Sequence, residues 1–314
     1  MSFVQFYSRK HKQPFDRTND TLKCEDEVVE IVNDIPRFVG RDNYALSFGD
    51  QWNKFRKTQL DSHTGLPITE TRLRRCMGEL YDQLAGKNIL EAGCGAGRFT
   101  ELLLKQGARV ASADLSHAVD ANIANCPLGE NHIVLQADIN QLPFAEEQFD
   151  VVICLGVIQH TADPEKTITN LFSHVKKGGS LIIDHYAPSF SRYTKSAFIF
   201  RYFLKRMAPE KRMGAVEKIV NFFFPLHYSL GRNRLMYGLL TRVSPVLSYF
   251  HSLPDLSREA QYEWALLDTH DSLTDFFKHL RTTEQIKAFL SQLNSQKVEC
   301  WVGGNGVEAR CKKA

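Results

Sequence analysis

The sequence predicts an α/β fold, a parallel sheet with helices on both faces. Three observations predict it. From about residue 86, short apolar or β-branched runs alternate with helical stretches. Two of those runs end in an acid, Asp114 and Asp138. A glycine-rich turn, ILEAGCGAGRFT over 89–100, joins the first run to the first helix.

The first strand is expected over 88–92, short and buried. A helix over 98–106 follows, with leucines on one face. The second strand covers 109–114. A helix including 120–125 is stopped by Cys126-Pro127. The third strand covers 132–138. The fourth, FDVVICL over 149–155, is apolar enough for the middle of a sheet. Asp163-Pro164 starts a helix that Lys176-Lys177-Gly178-Gly179 closes. The fifth strand covers 180–185. Near the end, 282–293 reads as an amphipathic helix capped by Thr282 or Thr283. Strands over 298–302 and 306–310 are joined through Gly303-Gly304-Asn305, a hairpin signal. A parallel five-strand core that ends in a hairpin differs from a typical dinucleotide-binding domain.

Between the fifth strand and the last helix lie about ninety residues of another character. Residues 191–250 hold eleven Lys and Arg, two acids (Glu210 and Glu217) and twelve aromatics. The block is near +9, so with a total of +3 the rest is near −6. Three readings fit this block: a solvated basic surface over an aromatic core, a lid facing an acidic or lipid-linked substrate, and peripheral membrane contact. We take it as a helical cap.

Composition bounds the rest. The 314 residues are 43% hydrophobic, enough for a full core. A charge of +3 is too mild to argue for nucleic acid. The seven cysteines (24, 76, 94, 126, 154, 300 and 311) form no CxxC pair, which favours reduced thiols over disulfides or zinc. No signal-peptide core and no membrane-length apolar run is seen, so a cytoplasmic, soluble protein is expected.

The glycine loop names a ligand class by its spacing. A nicotinamide loop wants GxGxxG. Here Gly93, Gly95 and Gly97 make GxGxG, Arg98 takes the place of the third glycine, and Glu91 precedes the first by two. That form suits a ligand with an amino-acid end and no pyrophosphate. About twenty residues on, Asp114 is placed to accept ribose hydroxyls. Asp138 with Ile139 offers a carboxylate and an apolar face to an adenine. Leu155 and Gly156 end the fourth strand, where a ligand in the sheet crevice would pass.

ILEAGCGAGRFTELL, VASADLS, VLQADINQLPF, FDVVICLGVIQHTADPEK and LFSHVKKGGSLIIDHY together resemble the class I S-adenosylmethionine-dependent methyltransferases and are similar to the ubiquinone- and menaquinone-type subgroup. The resemblance implies a Rossmann-like seven-stranded sheet of order 3-2-1-4-5-7-6, with strand seven antiparallel. It implies S-adenosyl-L-methionine as cofactor, its methionine end at Glu91, Gly93, Gly95 and Gly97, its ribose at Asp114 and Leu115, its adenine at Asp138 and Ile139, and its sulfonium beside Leu155 and Gly156. The segment IPRFVGRDNYALSFGDQWNKFRKTQLDSHTG over 35–65 resembles the leader of bacterial methyltransferases of polysaccharide and secondary-metabolite clusters. There a zinc-ribbon-like element with paired cysteines often precedes IPRFV. Cys24 alone cannot make a four-ligand zinc site, so a metal-free remnant is expected. The resulting division is a leader with helices over 1–85 that covers the active site, a core over 86–187 and 276–314, and a cap over 188–275. The run EWALLDTHDSLTDFFKH over 263–279 also fits the subgroup and is expected to fold onto the active-site mouth.

Methyl transfer to a hydroxyl or protonated amine needs a proton removed, and histidine suits that near neutral pH. His160, just after the fourth strand, is the leading candidate. His185 ends the fifth strand, and Tyr186 beside it would orient an acceptor. His63 and His270 rank lower and read as polar surface turns. Trp52 and Tyr44 read as packing residues, although an aromatic near a sulfonium gains cation–π energy. The expected reaction is methyl transfer to a small molecule or glycan precursor, with O-methylation favoured. Two alternatives are an enzyme that cyclises or cleaves the cofactor itself, and a non-catalytic cofactor-binding regulatory subunit. The sequence shows no RNA-binding module. After strand four it has Leu155-Gly-Val-Ile-Gln-His160 instead of the Asn/Asp-Pro-Pro-aromatic motif of many adenine or glutamine N-methyltransferases.

Overall fold

The computed structural model describes residues 3–40, 46–188 and 196–314. Tyr44 and residues 191–195 of the basic block lie outside the described residues. The chain divides into two compact units, one made of Met1–Asn53, Pro67–Pro188 and Phe277–Ala314, the other of Lys54–Leu66 and Ser189–Phe276.

The first unit is built on a sheet. Its amino-terminal strands are β1 (Tyr7–Ser8), β2 (Gln13–Pro14), β3 (Asp16–Arg17), β4 (Thr21–Cys24), β5 (Glu27–Val32) and β6 (Ile35–Arg37). Helices α1 (Leu46–Lys54), α2 (Asp61–Thr64) and α3 (Ile68–Met77) follow, α2 belonging to the second unit. Then come β7 (Asn88–Ala92), α4 (Thr100–Lys105), β8 (Arg109–Asp114), α5 (Ala118–Asn125), β9 (His132–Gln136), β10 (Phe149–Cys154), α6 (Pro164–Ser173) and β11 (Val175–His185). β7, β8, β9, β10 and β11 pair in parallel. The carboxyl-terminal strands are β12 (Ser295–Gly303) and β13 (Gly306–Lys313), preceded by a helix over Thr283–Gln292. β13 runs antiparallel to β11, His185 opposite Val307.

Numbered from β7, these seven strands stand in the order 3-2-1-4-5-7-6, but the sheet does not stop there. Among the described residues it has eleven strands, not seven: β6, β5, β4 and β3 continue it as an antiparallel meander beyond β9. The junction is a short parallel pairing of Arg37 with Gln136, reinforced by Phe38 N–H donating to the Gln136 carbonyl at 2.8 Å. The meander follows from its sequence. EVVEIV alternates in exposure along β5, and Asn33 and Asp34, both at positive φ (54° and 62°), turn it into β6. Cys24 is buried with Phe15 and Leu22.

Period-two alternation gives each central strand two buried faces. Leu90, Ala111, Leu135, Val152 and Leu181 enter one core cluster. Ile89, Val110, Val151 and Ile182 enter the other, beneath Leu73 and Met77 of α3 and Tyr81. Burial of each large aliphatic contributes about 1.5–3 kcal/mol. α6 begins as its sequence dictates: Asp163 Oδ1 accepts from Lys166 N–H at 3.0 Å, with Pro164 in the first turn. The last helix of this unit carries a full capping box between Thr282 and Gln285.

The second unit is helical: α7 (Ala197–Leu204), α8 (Pro209–Leu230), α9 (Arg234–Val243) and α10 (Arg258–Thr274). The Thr283–Gln292 helix of the first unit is therefore α11. The core of the second unit joins Leu204, Val216, Val220, Phe224, Ala265 and Leu266. Residues 54–66 belong to it through Trp264, whose indole donates to the Thr58 carbonyl at 2.8 Å. Among the described residues no helix is long and apolar enough to cross a membrane.

Candidate active site at the carboxyl ends of the central strands

The glycine loop leaves β7 in a left-handed course. Gly93, Gly95 and Gly97 have φ of 80°, 49° and 93°, a region where a side chain is strained. A Cβ at Gly93 would collide with Val157, so the loop after β10 lies directly against this one. Gly95 faces the Trp52 ring of α1, which would sit 3.5 Å from a Cβ there. α1 is seated across the start of α5: Asn53 Nδ2 donates to the His117 carbonyl at 3.0 Å, and Gly49 allows the close approach.

Glu91 lies beneath the loop, 2% exposed. Its Oε2 accepts from Thr100 Oγ1 at 2.5 Å and from Ser112 Oγ at 3.4 Å. Its Oε1 is buried with no partner among the described residues. Burial pushes the carboxyl up to about 8, against the two hydroxyl donors, so Glu91 is protonated at pH 7. Cys94, inside the loop, is buried, and burial raises its thiol well above the ordinary value. It is no nucleophile.

Asp114 closes β8. Its Oδ2 accepts from Gly95 N–H at 2.9 Å, and its Oδ1 from the Ser116 N–H and Oγ at 2.8 and 2.7 Å. The carboxylate therefore ties two loops together. The Leu115 carbonyl accepts from Gln136 Nε2 at 3.0 Å. β9 ends at Gln136, two residues short of the expected boundary, so Asp138 stands in the loop and accepts from Asn140 N–H at 2.8 Å. Ile139 and Leu155 are buried, at 6% and 5% exposure, in the clusters on opposite faces of the sheet. Gly156 (φ 82°) donates its N–H to Asp184 Oδ1 at 2.6 Å.

His160 ends a short 3₁₀ turn, Ile158–His160. Its Nδ1 donates to the Phe277 carbonyl at 3.2 Å. The Tyr186 ring stands edge-on to it, centroids 5.3 Å apart. His185 is 1% exposed. Its Nδ1 donates to the Tyr186 carbonyl at 3.1 Å, and its Nε2 is buried without a partner among the described residues. Burial holds the His185 ring below its usual pKa, hence neutral.

The other two histidines belong to the second unit. His63 is exposed at the end of α2. His270 is not on a surface turn: it is buried in α10, and burial brings it down to about 4.

Several residues escape a sequence reading. Gln159 is wholly buried, with both side-chain atoms unpartnered among the described residues. Residues 277–281 run beside the loops after β10 and β11: His279 N–H donates to the Gln159 carbonyl at 3.0 Å and Arg281 N–H to the Tyr186 carbonyl at 2.9 Å. Behind the strands, Arg72 pairs with Asp184, the acid that holds Gly156. Arg75 grips Glu308 with two hydrogen bonds, at 2.7 and 2.6 Å. Burial pushes the Glu308 carboxyl up, but Arg75 holds it below the usual carboxylate range. The only available signal was the i, i+3 pair of arginines in α3, and it names no partner.

Residues 90–183 match a family described as Methyltransferase domain. That match, just under a third of the chain, is a methyltransferase domain. The domain is similar to the ubiquinone biosynthesis O-methyltransferase of Coxiella burnetii (strain Dugway 5J108-111), 32% identical over 112 residues, which are 35% of this chain and 48% of that one. To the enzyme of the same name from Pseudomonas fluorescens (strain SBW25) it is 38% identical over 101 residues, 31% of this chain and 44% of that one. The chain thus spans less than half the length of these relatives. A crystal structure of magnesium protoporphyrin IX methyltransferase from Synechocystis PCC 6803 with bound SAH aligns at TM-score 0.39 and 15% identity, over 88% of this chain and 90% of that one.

Proposed function

We propose that this protein transfers the methyl group of S-adenosyl-L-methionine to a small-molecule or glycan-precursor acceptor, with oxygen as the favoured methylated atom. One observation carries the reading. Val157 packs on Gly93, so the loop that bears His160 and the loop that would hold the cofactor form one wall. The donor set fits the cofactor. Glu91 Oε1 is buried without a partner among the described residues, and the glycine loop has no side chain where a methionine end would lie.

Bound there, the cofactor supplies an activated methyl on a sulfonium. Glu91, Gly93, Gly95 and Gly97 would hold its methionine end, Asp114 and Leu115 its ribose, Asp138 and Ile139 its adenine, and Leu155 and Gly156 would line the sulfonium. The remaining work is positioning and proton removal. His160, with its Nδ1 proton committed to Phe277, presents Nε2 as the general base toward an acceptor hydroxyl. Tyr186 restrains the ring from the side. Neutral His185 is the second candidate to accept or relay that proton.

The test is to incubate the purified chain with S-adenosyl-L-methionine alone and follow products by mass spectrometry. An intact cofactor, followed by S-adenosylhomocysteine release on adding metabolite extract, supports methyl transfer. Methylthioadenosine or a cyclised amino acid without acceptor means that the cofactor is itself the substrate. Tight binding with no turnover on any acceptor leaves a binding subunit.

A further inference from the structure

Two helices of the second unit expose apolar stripes. On α7 the outer face is Phe198, Ile199, Tyr202 and Phe203, 75%, 58%, 49% and 62% exposed. The spacing i, i+1, i+4, i+5 makes them one stripe. The inner face of the same helix is satisfied, with Phe200 against Phe223 and Leu204 buried. α9 repeats the pattern: Leu235, Leu239 and Val243 are exposed at i, i+4 and i+8, while Leu240 is buried. The stripes are neighbours. Ser196, which precedes α7, donates its N–H to the Arg242 carbonyl at 2.8 Å and its Oγ to the Val243 carbonyl at 2.7 Å.

The border of these stripes is cationic. The Arg206 guanidinium lies 3.4 Å from the Tyr202 ring centroid. Lys205 Nζ sits 5.5 Å from the ring of Phe276. Arg234 and Arg242 are exposed at the ends of α9. No carboxylate faces them from α7 or α9, since Glu210 and Glu217 are the only acids of 191–250 and both belong to α8. Glu217 faces Lys54 at 3.6 Å.

We propose that the outer faces of α7 and α9 dock on an anionic lipid bilayer surface. Aromatic and aliphatic side chains would enter the headgroup–acyl boundary while the arginines meet lipid phosphates. The charge pattern selects this occupant. A second copy would set Lys205, Arg206, Arg234 and Arg242 against the same four cations, whereas an anionic leaflet is complementary. Neither helix is long and apolar enough to cross the membrane, so the unit would lie on it. The inference concerns lipid binding and stands or falls apart from methyl transfer.

The experiment is flotation of the full chain with extruded vesicles, either pure phosphatidylcholine or an equal mixture with phosphatidylglycerol. The chain is expected to float with the mixed vesicles only, and high salt should release it. Phe198→Ser and Phe203→Ser should each weaken vesicle binding by about tenfold or more, and Arg206→Ala and Arg242→Ala by about fivefold each. Leu235→Ser with Leu239→Ser gives an independent variant on the other helix, and circular dichroism checks that each variant folds. The proposal is overturned by equal binding to both vesicle types, or by no binding to either. It is also overturned if the stripes prove to be a protein interface, that is, if the chain is a dimer in solution that the Phe198→Ser variant makes monomeric.

Discussion

Glu91→Gln is expected to stabilise the protein at alkaline pH and to do little at acid pH. The carboxyl is wholly buried, keeps one oxygen without a partner among the described residues, and has its pKa raised from 4.5 to about 8 by burial. The direction follows from linkage. Between those two values the unfolded chain has lost the proton and the folded chain still holds it, so wild-type stability falls as pH rises through that window. Glutamine keeps the shape and the acceptor for Thr100 but never has to hold a proton. The gap between variant and wild type is therefore small near pH 4.5 and reaches on the order of 4 kcal/mol at pH 8, an upper figure for a buried group. At roughly 2–4 °C per kcal/mol, the melting temperatures should separate by about 10 °C at pH 8 and by little at pH 5. Differential scanning calorimetry across that range is the assay. A gap that stays constant from pH 5 to pH 8 would refute the argument, because a packing effect has no reason to titrate.

Other outcomes follow from the same geometry. If the amino end of S-adenosyl-L-methionine settles beside Glu91, it should draw that pKa down and release a proton near pH 7; calorimetry in two buffers of different ionisation enthalpy reads this directly. His160→Ala should lower turnover by about 10²–10⁴ while leaving cofactor affinity unchanged, as seen by S-adenosylhomocysteine release against titration calorimetry. Trp52→Ala should weaken cofactor binding by about 3–30-fold, the equivalent of roughly 0.5–2 kcal/mol, with little change in melting temperature. Arg75→Ala strands the buried Glu308 carboxylate and should cost about 3 kcal/mol in chemical denaturation.

The central sheet was legible because its physics is local. Parallel strands buried on both faces read as apolar runs, and the loops at their carboxyl ends announce themselves through Gly93, Gly95, Gly97 and Asp114. The amino-terminal meander was not read, although its signal was present. EVVEIV alternates and Asn33-Asp34 is turn chemistry, but the strands are only two to six residues long, too short for periodicity to mark them. Boundaries differ by two residues from the sequence reading at Thr100 and Gln136, within the usual scatter of element ends. The supports of the site were hidden for another reason. Arg72 meets Asp184, and Arg75 meets Glu308, across separations of 112 and 233 residues, and no periodicity encodes such a meeting. Gln159 sits in an apolar stretch, and only its burial makes it a candidate to orient an acceptor.

The meander also imposes a timetable. During synthesis its strands leave the ribosome before the edge they join, β9, which comes almost a hundred residues later. At about 5–20 residues per second, that is a wait of roughly 5–20 s with an exposed, alternating strand in solution. The charged residues of β4 and β5, Lys23, Glu27 and Glu30, are suited to that interval, since they discourage pairing with a neighbouring nascent chain until Gln136 arrives. Once docked, the short outer strands cover the edge of β9, which would otherwise be free to pair with another chain. The same four strands are thus an aggregation hazard early in the life of the molecule and a guard against aggregation for the rest of it.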